Sequence, residues 1–309
     1  MKTDNDVLIL FTMDVELVAV ADGKTSGPQS LAEGERNTRD YAGILADYGY
    51  APTLFVHPEL GEIQAPMLLD LRSSGAELGL HIHTAKFAER PHDCEMGGLT
   101  ASEQHDVLSA AIAMFESYFD FRPAIFRPGC FSANDASYGV LHDLGFTGGS
   151  ISIPGRVWHE RFCHWANAEP HPHFAHDAFR QVAGHLPFVD IPLSVDRIGG
   201  LQTHPLGFQH YVDLRPGGVY SHDEDTGRDH SILLRNIVQQ LLDEDPLLKT
   251  IVIDVHNDRD FRDPASPSAR QLKTILDGLK PELAKHGFLP VSATLSEAIS
   301  RYRKLATSP

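Results

Sequence analysis

The sequence lacks most of the features that mark secreted and membrane-embedded proteins. Its three cysteines, Cys94, Cys130 and Cys163, are odd in number and include no zinc-type pair. Cysteines this few and unpatterned argue against a disulfide framework and are typical of a reducing compartment. The apolar run at 7–11 is too short for a signal peptide and its flank is acidic. No stretch reaches the roughly 18 apolar residues of a membrane span, so a cytoplasmic protein is expected.

Basic charge is also scarce. The 309 residues include 26 Lys and Arg against 42 Asp and Glu, a formal net charge of -16. No Lys/Arg cluster interrupts this balance, and non-specific binding of nucleic acid needs such a basic footprint. Nucleic acid is therefore excluded as a partner. What the chain does have is 42% hydrophobic residues and 18 histidines, and an α/β barrel of this length is commonly one domain.

Helix and strand patterns alternate along the chain. Four amphipathic runs end in a glycine that is followed by a short β-rich run: Gly49, Gly75, Gly145 and Gly287. Glycine after the last turn adopts the left-handed conformation that closes a helix. Thr100 and Thr294 are each followed three residues later by Glu, which is the form of a capping box. Alternation of this kind predicts parallel strands joined by helical crossovers.

The predicted elements favour a barrel over a small open sheet. Strands are predicted at 7–13, 53–56, 77–83, 124–126, 147–152, 189–192, 251–255 and 289–292. Helices are predicted at 37–48, 66–73, 100–119, 134–144, 229–242 and 268–285, with a last helix from Thr294. The fold class is thus α/β, a single distorted (β/α) barrel with about seven parallel strands over 1–309. A His-, Pro- and aromatic-rich stretch at about 154–187 has no clean period and is expected to be a long loop with a function or mobility.

Chemically active side chains follow several of these strands. Asp14 and Glu16 lie at the end of the first strand, and their spacing of two directs both side chains to one face. His81 and His83 end the third strand with the same spacing, and imidazole is the commonest protein ligand for a metal. The alternatives are two solvated acids past a strand and two satisfied histidines at a barrel rim.

An arginine and a further histidine complete the set. Arg127 starts an Arg-Pro-Gly turn between a short strand and a helix, where its donor fork can hold a carboxylate. His256 ends the β-branched run 251–255, a position suited to acid–base chemistry. Alone, each fits a solvent-facing loop residue or a capped strand end. Together, all four sets lie at C-terminal ends of predicted strands, where α/β barrels build their sites. Two histidines and an acid match a hydrolytic zinc set with an open position for water.

These residues resemble the polysaccharide deacetylase family, the superfamily of carbohydrate esterase family four. Residues 12–16, Thr-Met-Asp-Val-Glu, correspond to its Thr-Phe-Asp-Asp-Gly motif. His81 with His83 correspond to its two-histidine motif, Arg127 to its Arg-Pro turn, and His256 to its terminal Leu-His strand. The motifs occur in the family's order between about residues 8 and 256.

The sequence departs from the family pattern at four places. Val15 replaces the second Asp, with Glu16 in the next position as in an Asp-x-Glu subgroup. His83 follows the first histidine by two residues instead of four. Gly129 follows the proline directly, and Asp190 is the nearest position to the family's Asp-x-x-Trp motif.

The resemblance implies a metal-dependent amide hydrolase. The implied ligands of a divalent metal, with Zn²⁺ the first choice, are Glu16, His81 and His83. Asp14 is the implied general base, Arg127 orients it, and His256 protonates the leaving amine. An exchange of roles between Asp14 and Glu16 stays open at this stage. The expected partner is a small-molecule or oligosaccharide substrate.

Three hypotheses follow. The first is N-deacetylation of an amino sugar or polysaccharide precursor. The second is hydrolysis of a non-sugar cyclic amide or a formamide, because the Asp-x-Glu motif also occurs in that branch. The third is a non-catalytic carbohydrate-binding protein, motivated by Val15 and the altered histidine spacing. In the segment 154–187, Trp158 and Trp165 are candidates for stacking on a sugar, and His171 with His173 for a second metal site. Loop histidines without a ligand role are preferred there.

Overall fold

The computed structural model describes residues 5–19, 26–217 and 229–307. Its α-helices are α1 (Leu31–Asp47), α2 (Gly61–Ser73), α3 (Ala101–Phe119), α4 (Ser137–Asp143), α5 (His230–Glu244), α6 (Pro267–Ala284) and α7 (Leu295–Ala306). Short 3₁₀ turns cover Pro58–Leu60, Met96–Gly98, Gly129–Phe131 and His159–Arg161. None of the helices in these ranges is long and apolar enough to cross a membrane. Residues 1–4, which are part of the acidic flank of the apolar run at 7–11, lie outside the described residues.

Eight longer or central strands carry the fold. They are β1 (Asp6–Val15), β2 (Pro52–Val56), β3 (Glu77–Ile82), β4 (Ile125–Pro128), β5 (Gly148–Gly149), β9 (Val189–Asp190), β14 (Thr250–His256) and β15 (Leu289–Ser292). The remaining strands have two residues each: β6 (Val157–Trp158), β7 (Cys163–His164), β8 (His173–Phe174), β10 (Val195–Asp196), β11 (Gln202–Thr203), β12 (Gln209–His210) and β13 (Val212–Asp213). Each predicted strand overlaps one of the first eight.

The main sheet is curled and almost wholly parallel. Its order is β14-β1-β2-β3-β4-β5-β9-β8, and β15 lies beside β1. Among the described strands of this sheet, only the pairing of β8 with β9 is antiparallel. The described strands therefore form a parallel half-barrel within a mixed α/β fold, and the predicted fold class is confirmed. Near-continuous apolar runs make β1 and β14 buried on both faces, as expected for central parallel strands.

A single serine links the two ends of the curled sheet. The Ser194 amide, just after β9, donates to the Val252 carbonyl on β14 at 3.3 Å. The Val252 amide donates in return to Ser194 Oγ at 2.9 Å. The curl thus brings the last parallel strand back beside the first, and the carboxyl ends of the strands surround one central space.

Most predicted helix ends agree with the structure, but α1 begins at Leu31 instead of the predicted 37, because the side chain of Ser30 caps it by accepting from the Glu33 amide. The four glycines expected to close helices all have positive φ, from +74° at Gly287 to +107° at Gly75. Thr100 and Thr294 both form capping boxes. Helix α2 begins at Gly61, a turn before the predicted start at 66, because it continues directly from the 3₁₀ turn Pro58–Leu60. Proline is most favourable at a first helical position, so Pro66 inside α2 gave a misleading start signal.

The segment 154–187 packs on the carboxyl end of the barrel. Trp165 is fully buried, and its Nε1 donates to the Phe131 carbonyl after β4 at 2.7 Å. The Trp158 ring stacks on Phe208 with centroids 4.5 Å apart. Strands β6 and β7 join β11 and β12 in a small sheet. Apart from β6, β7 and β8, the segment has little regular secondary structure, as its missing period indicates.

Candidate active site

Strand register places most of the predicted site residues next to one another. Parallel pairing of β1 with β14 sets Asp14 directly beside His256. Pairing of β3 with β4 sets His81 beside Arg127. Because these neighbours all lie at carboxyl ends, the six predicted residues occupy a single region of the half-barrel.

Glu16 and the two histidines converge at that region. Glu16 Oε1 lies 2.9 Å from His83 Nε2 and 3.7 Å from His81 Nε2. One ligand atom from each of the three lies within 4.8 Å of those of the other two. Among the described residues His81 Nε2 has no hydrogen-bond partner although it is buried. A buried, unpaired imidazole nitrogen facing a carboxylate is the donor arrangement that a metal ion completes.

Each histidine is held through its other ring nitrogen. His81 Nδ1 lies 3.1 Å from the Arg127 carbonyl oxygen, which can only accept. The ring therefore donates from Nδ1 and, when neutral, leaves the lone pair on Nε2. His83 Nδ1 lies 2.8 Å from Glu95 Oε1. Carbonyl and carboxylate partners of this kind fix the tautomer and orientation of metal-binding histidines.

Glu16 carries the charge that a ligand needs. Ser26 Oγ donates to Glu16 Oε1 at 2.6 Å, and Lys86 Nζ donates to Glu16 Oε2 at 2.8 Å. Burial alone raises the pKa of Glu16, but the positive charges of His83 and Lys86 outweigh it and hold that pKa well below the usual value. Burial likewise opposes the charged form of His83, yet Glu16 and Glu95 raise the pKa of His83 well above its usual value.

Asp14 is fixed by Arg127. Arg127 Nη1 donates to Asp14 Oδ1 at 3.0 Å, to Thr12 Oγ1 at 2.9 Å and to Asp254 Oδ1 at 2.6 Å. Its guanidinium lies 4.3 Å from the centre of the Phe55 ring. Burial raises the pKa of Asp14, but the neighbouring histidines and Arg127 lower it below the usual value. Burial raises the pKa of Asp254 to about 6.

His256 lines the same cavity as His83 and Asp14. Its Nε2 is 3.9 Å from Asp14 Oδ2. Burial, reinforced by the charge of Arg215, lowers the pKa of His256 to about 3, so its ring is neutral at physiological pH. This cavity has a volume of about 30 Å³, with Phe131 and Trp158 also on its wall. Such a space holds about two water molecules.

Several polar residues of the site were not predicted from the sequence. They are Lys86, Glu95, Asp254, Arg156 and Arg215. Asp254 had a usable signal, because it precedes His256 by two residues on β14 and so shares its face. The others come from loops or short strands with no periodic pattern. Within the described residues, no group of metal-ligating side chains includes a histidine of the segment 154–187.

Gly129 gives His83 the space for its ring. A Cβ added at Gly129 lies 2.3 Å from His83 Nδ1 and 2.6 Å from Cε1. We expect Gly129→Ala to displace the imidazole from Glu95 and Glu16, to weaken metal binding at least about tenfold, and to destabilise the fold by about 1–3 kcal/mol through overpacking. Chelator competition and urea unfolding measure the two effects.

A glycine with free space serves as the control for this change. Gly139 lies inside α4 and has nothing within 4 Å of an added Cβ. Gly139→Ala is expected to leave metal binding unchanged and to stabilise the protein by about 0.5–1 kcal/mol through helix propensity. Equal effects of both substitutions on metal affinity would contradict the role given to Gly129.

Comparison with known proteins identifies the fold. No family model and no curated protein matches the sequence. Solved structures do match. A candidate polysaccharide deacetylase from Mycobacterium smegmatis superposes with a TM-score of 0.60 and 15% identity, over 98% of this chain and 92% of that one. The allantoinase PuuE gives 0.60 and 13%, over 100% and 93%. A candidate glycoside hydrolase/deacetylase from Parabacteroides distasonis gives 0.65 and 10%, over 98% and 72%. The chain therefore has the polysaccharide-deacetylase fold, as the resemblance implied.

Proposed function

We propose that the protein is a metal-dependent hydrolase that removes an acyl group from an amide, with an N-acetylated amino sugar or polysaccharide precursor as its substrate. The observation that carries the proposal is the convergence of Glu16, His81 and His83 around a buried, unpaired imidazole nitrogen. The shared fold supports the same class of chemistry, because the solved structures it matches include deacetylase candidates and an allantoinase.

The donor set fits a divalent ion. Two imidazole nitrogens and one carboxylate leave a position open for water, and they favour Zn²⁺. An ion held by Glu16, His81 and His83 would supply a bound water of lowered pKa and a Lewis acid for the amide oxygen. The two histidines are held by groups that keep Nε2 directed at Glu16, so the protein orients the site before any ion binds.

The geometry supports Glu16 as the ligand and Asp14 as the base. Glu16 Oε1 is the carboxylate oxygen close to both Nε2 atoms. Asp14 Oδ2 lies instead 3.9 Å from His81 Nδ1, the nitrogen that faces the Arg127 carbonyl. Arg127 holds Asp14 ionised and fixed, which suits a group that takes the proton of the attacking water.

His256 completes the proton path. Its ring is neutral in the free protein, because burial and Arg215 lower its pKa to about 3. It can therefore donate a proton only after it has received one. Asp14 Oδ2, 3.9 Å from His256 Nε2, can pass on to it the proton taken from water. His256 then protonates the leaving amine, so that one proton moves from nucleophile to leaving group.

A second candidate is hydrolysis of a compact, non-sugar cyclic amide. The observation in its favour is the match to the allantoinase PuuE, with a TM-score of 0.60 over 100% of this chain. Parallel assays on N-acetylglucosamine oligomers, a cyclic ureide and a formamide separate the two candidates. Turnover of the cyclic ureide alone would replace the sugar substrate and leave the roles of the site residues unchanged.

Metal content tests the proposal directly. We expect elemental analysis to find about one divalent ion per chain in the purified protein and none in His81→Ala or His83→Ala. The matched control is His105→Ala, an exposed histidine on α3, which should keep its ion. No stoichiometric ion after zinc is added back would overturn the hydrolase and leave the non-catalytic carbohydrate-binding hypothesis.

A further inference from the structure

Two buried arginines lie on the cavity wall; Arg215 lowers the pKa of His256, but neither arginine contacts a reacting group in the proposed hydrolysis. Arg156 follows Gly155 in the segment 154–187, and Arg215 follows β13. Each side chain is only 2% exposed, yet both line the same cavity as Asp14 and His256. Burial of a guanidinium is costly, so each needs an anionic partner.

Each arginine pairs with a carboxylate that accepts from only a few of its N–H donors. Arg156 Nη2 meets Asp213 Oδ2 at 2.9 Å, and Arg215 Nη2 meets Asp254 Oδ2 at 2.7 Å. A guanidinium carries five N–H donors in a planar fork. Among the described residues, the buried Nε atoms of Arg156 and Arg215 have no hydrogen-bond partner, although Arg215 Nε lies 3.8 Å from Asp213 Oδ1. Both side chains therefore retain donors for a further acceptor.

Among the described residues, the wall of the cavity carries more positive than negative charge. Arg156 and Arg215 line it together with Asp14, while their carboxylate partners Asp213 and Asp254 are not among its described lining residues. Burial lowers the pKa of Arg156 even though Asp213 raises it, whereas for Arg215 the charges of Asp254 and Asp213 outweigh burial and raise the pKa, so Arg156 is the less compensated of the two. An anionic ligand would supply the missing compensation.

Aromatic rings shape the same wall. The Arg156 guanidinium lies 5.8 Å from the centre of the Phe131 ring and 5.4 Å from that of Phe208. Trp158 stacks on Phe208 and also lines the cavity. These rings exclude water around the guanidinium and strengthen its interaction with an anion.

We propose that the substrate carries an anionic group, a carboxylate or a phosphate, which Arg156 and Arg215 bind beside the amide to be cut. This inference rests on the proposed function and adds a substrate class to it. A single anionic group on a small ligand is favoured over a polyanion, because the whole chain has a net charge of -16 and repels extended negative polymers. The guanidinium fork suits oxygens of either kind.

Binding of three sugars that differ in charge tests the inference. The probes are N-acetylglucosamine, N-acetylmuramic acid with its carboxylate, and N-acetylglucosamine 6-phosphate. Calorimetric titrations use the metal-loaded protein, the chelator-treated protein and His81→Ala, since an anion can also bind a metal. We expect at least one anionic sugar to bind about 10-fold or more tightly than the neutral sugar in all three. Which one does so distinguishes carboxylate from phosphate.

Arginine variants test whether Arg156 and Arg215 cause the preference for an anionic sugar. Arg156→Met is expected to remove most of it, and Arg156→Lys to retain part, because charge remains but the fork is lost. Arg215→Met serves as a second variant. If it does not fold, the two Arg156 variants and the binding of the three sugars by the wild type still decide the test. Equal binding of the three sugars, no binding of either anionic one, or a preference unchanged in Arg156→Met overturns the inference. If the protein prefers an anionic sugar but binds no metal, the anion site is supported and the proposed hydrolase is contradicted. If it binds a metal but shows no preference for an anionic sugar, the hydrolase is supported and the anion site is contradicted.

Discussion

Asp14→Asn is expected to lower kcat by about 10²–10⁴-fold while the protein keeps its metal ion. The asparagine keeps the size of the side chain and the oxygen that accepts from Arg127 Nη1, now 3.0 Å from Asp14 Oδ1. It cannot accept the proton of the attacking water at neutral pH. In the proposed site Glu16 is the carboxylate ligand, so this substitution is expected to leave the metal site intact.

Steady-state kinetics and metal content on the same preparation check this result. Asp106→Asn, an exposed aspartate on α3, is the matched control and should change neither quantity. Glu16→Gln supplies the mirror experiment, in which the ion is lost together with activity. If Asp14→Asn loses its ion and Glu16→Gln keeps it, the roles of the two carboxylates are exchanged, which is the alternative that the sequence left open.

The central part of the site follows from strand periodicity. Asp14 with Glu16 and His81 with His83 are each spaced by two at a strand end, so an extended backbone directs each pair to one side. A near-continuous apolar run fixes β14 as a buried parallel strand, which places His256 at the same end of the sheet. These residues could be predicted together because the carboxyl ends of parallel strands converge, whatever the length of the helices between them.

The groups that tune the site could not be predicted in the same way. Lys86 and Glu95 lie in the chain after β3, and Arg156 and Arg215 in the chain around the short strands. Their positions are set by tertiary packing, since no period of two or 3.6 relates them to the catalytic pairs. The prediction that 1–309 forms one domain, with a functional role for 154–187, stays a prediction. Arg156 supports that role, because it brings the segment to the cavity wall.

Two departures from the deacetylase pattern are linked in space. The second histidine stands two residues after the first, and the glycine follows Pro128 directly. In the structure the His83 ring packs against the Gly129 backbone, where a Cβ would lie 2.3 Å from Nδ1. The shorter histidine spacing therefore needs a glycine at this position of the neighbouring loop. Taken one at a time, the two changes suggest a degenerate motif. Because they contact each other, they indicate instead a different way of holding the second imidazole.

Arg127 belongs to the candidate site and is also expected to stabilise the barrel. It is fully buried and pairs with Asp14 at 3.0 Å and Asp254 at 2.6 Å. Arg127→Met removes a positive charge shared by two buried carboxylates and leaves Asp254 with Arg215 alone, so we expect a loss of about 3–5 kcal/mol in the free energy of unfolding at neutral pH. Urea unfolding followed by circular dichroism measures it. Arg122→Met, which breaks the exposed pair with Glu116, should cost less than about 1 kcal/mol.

The stability lost in Arg127→Met should become smaller as the pH falls. The pKa of Asp254 is already raised to about 6 by burial, above the 3.8 of an ordinary aspartate, and removal of Arg127 raises it further. A carboxyl group whose pKa is higher in the folded state takes up a proton on folding, so its contribution to stability grows as the pH falls from above the folded pKa toward the unfolded one. The difference between wild type and Arg127→Met is therefore expected to shrink from about pH 8 to about pH 5. A difference that stays constant or widens over that range would show that Asp254 is not the group left uncompensated, and that Arg127 stabilises the barrel through its packing on Phe55 instead.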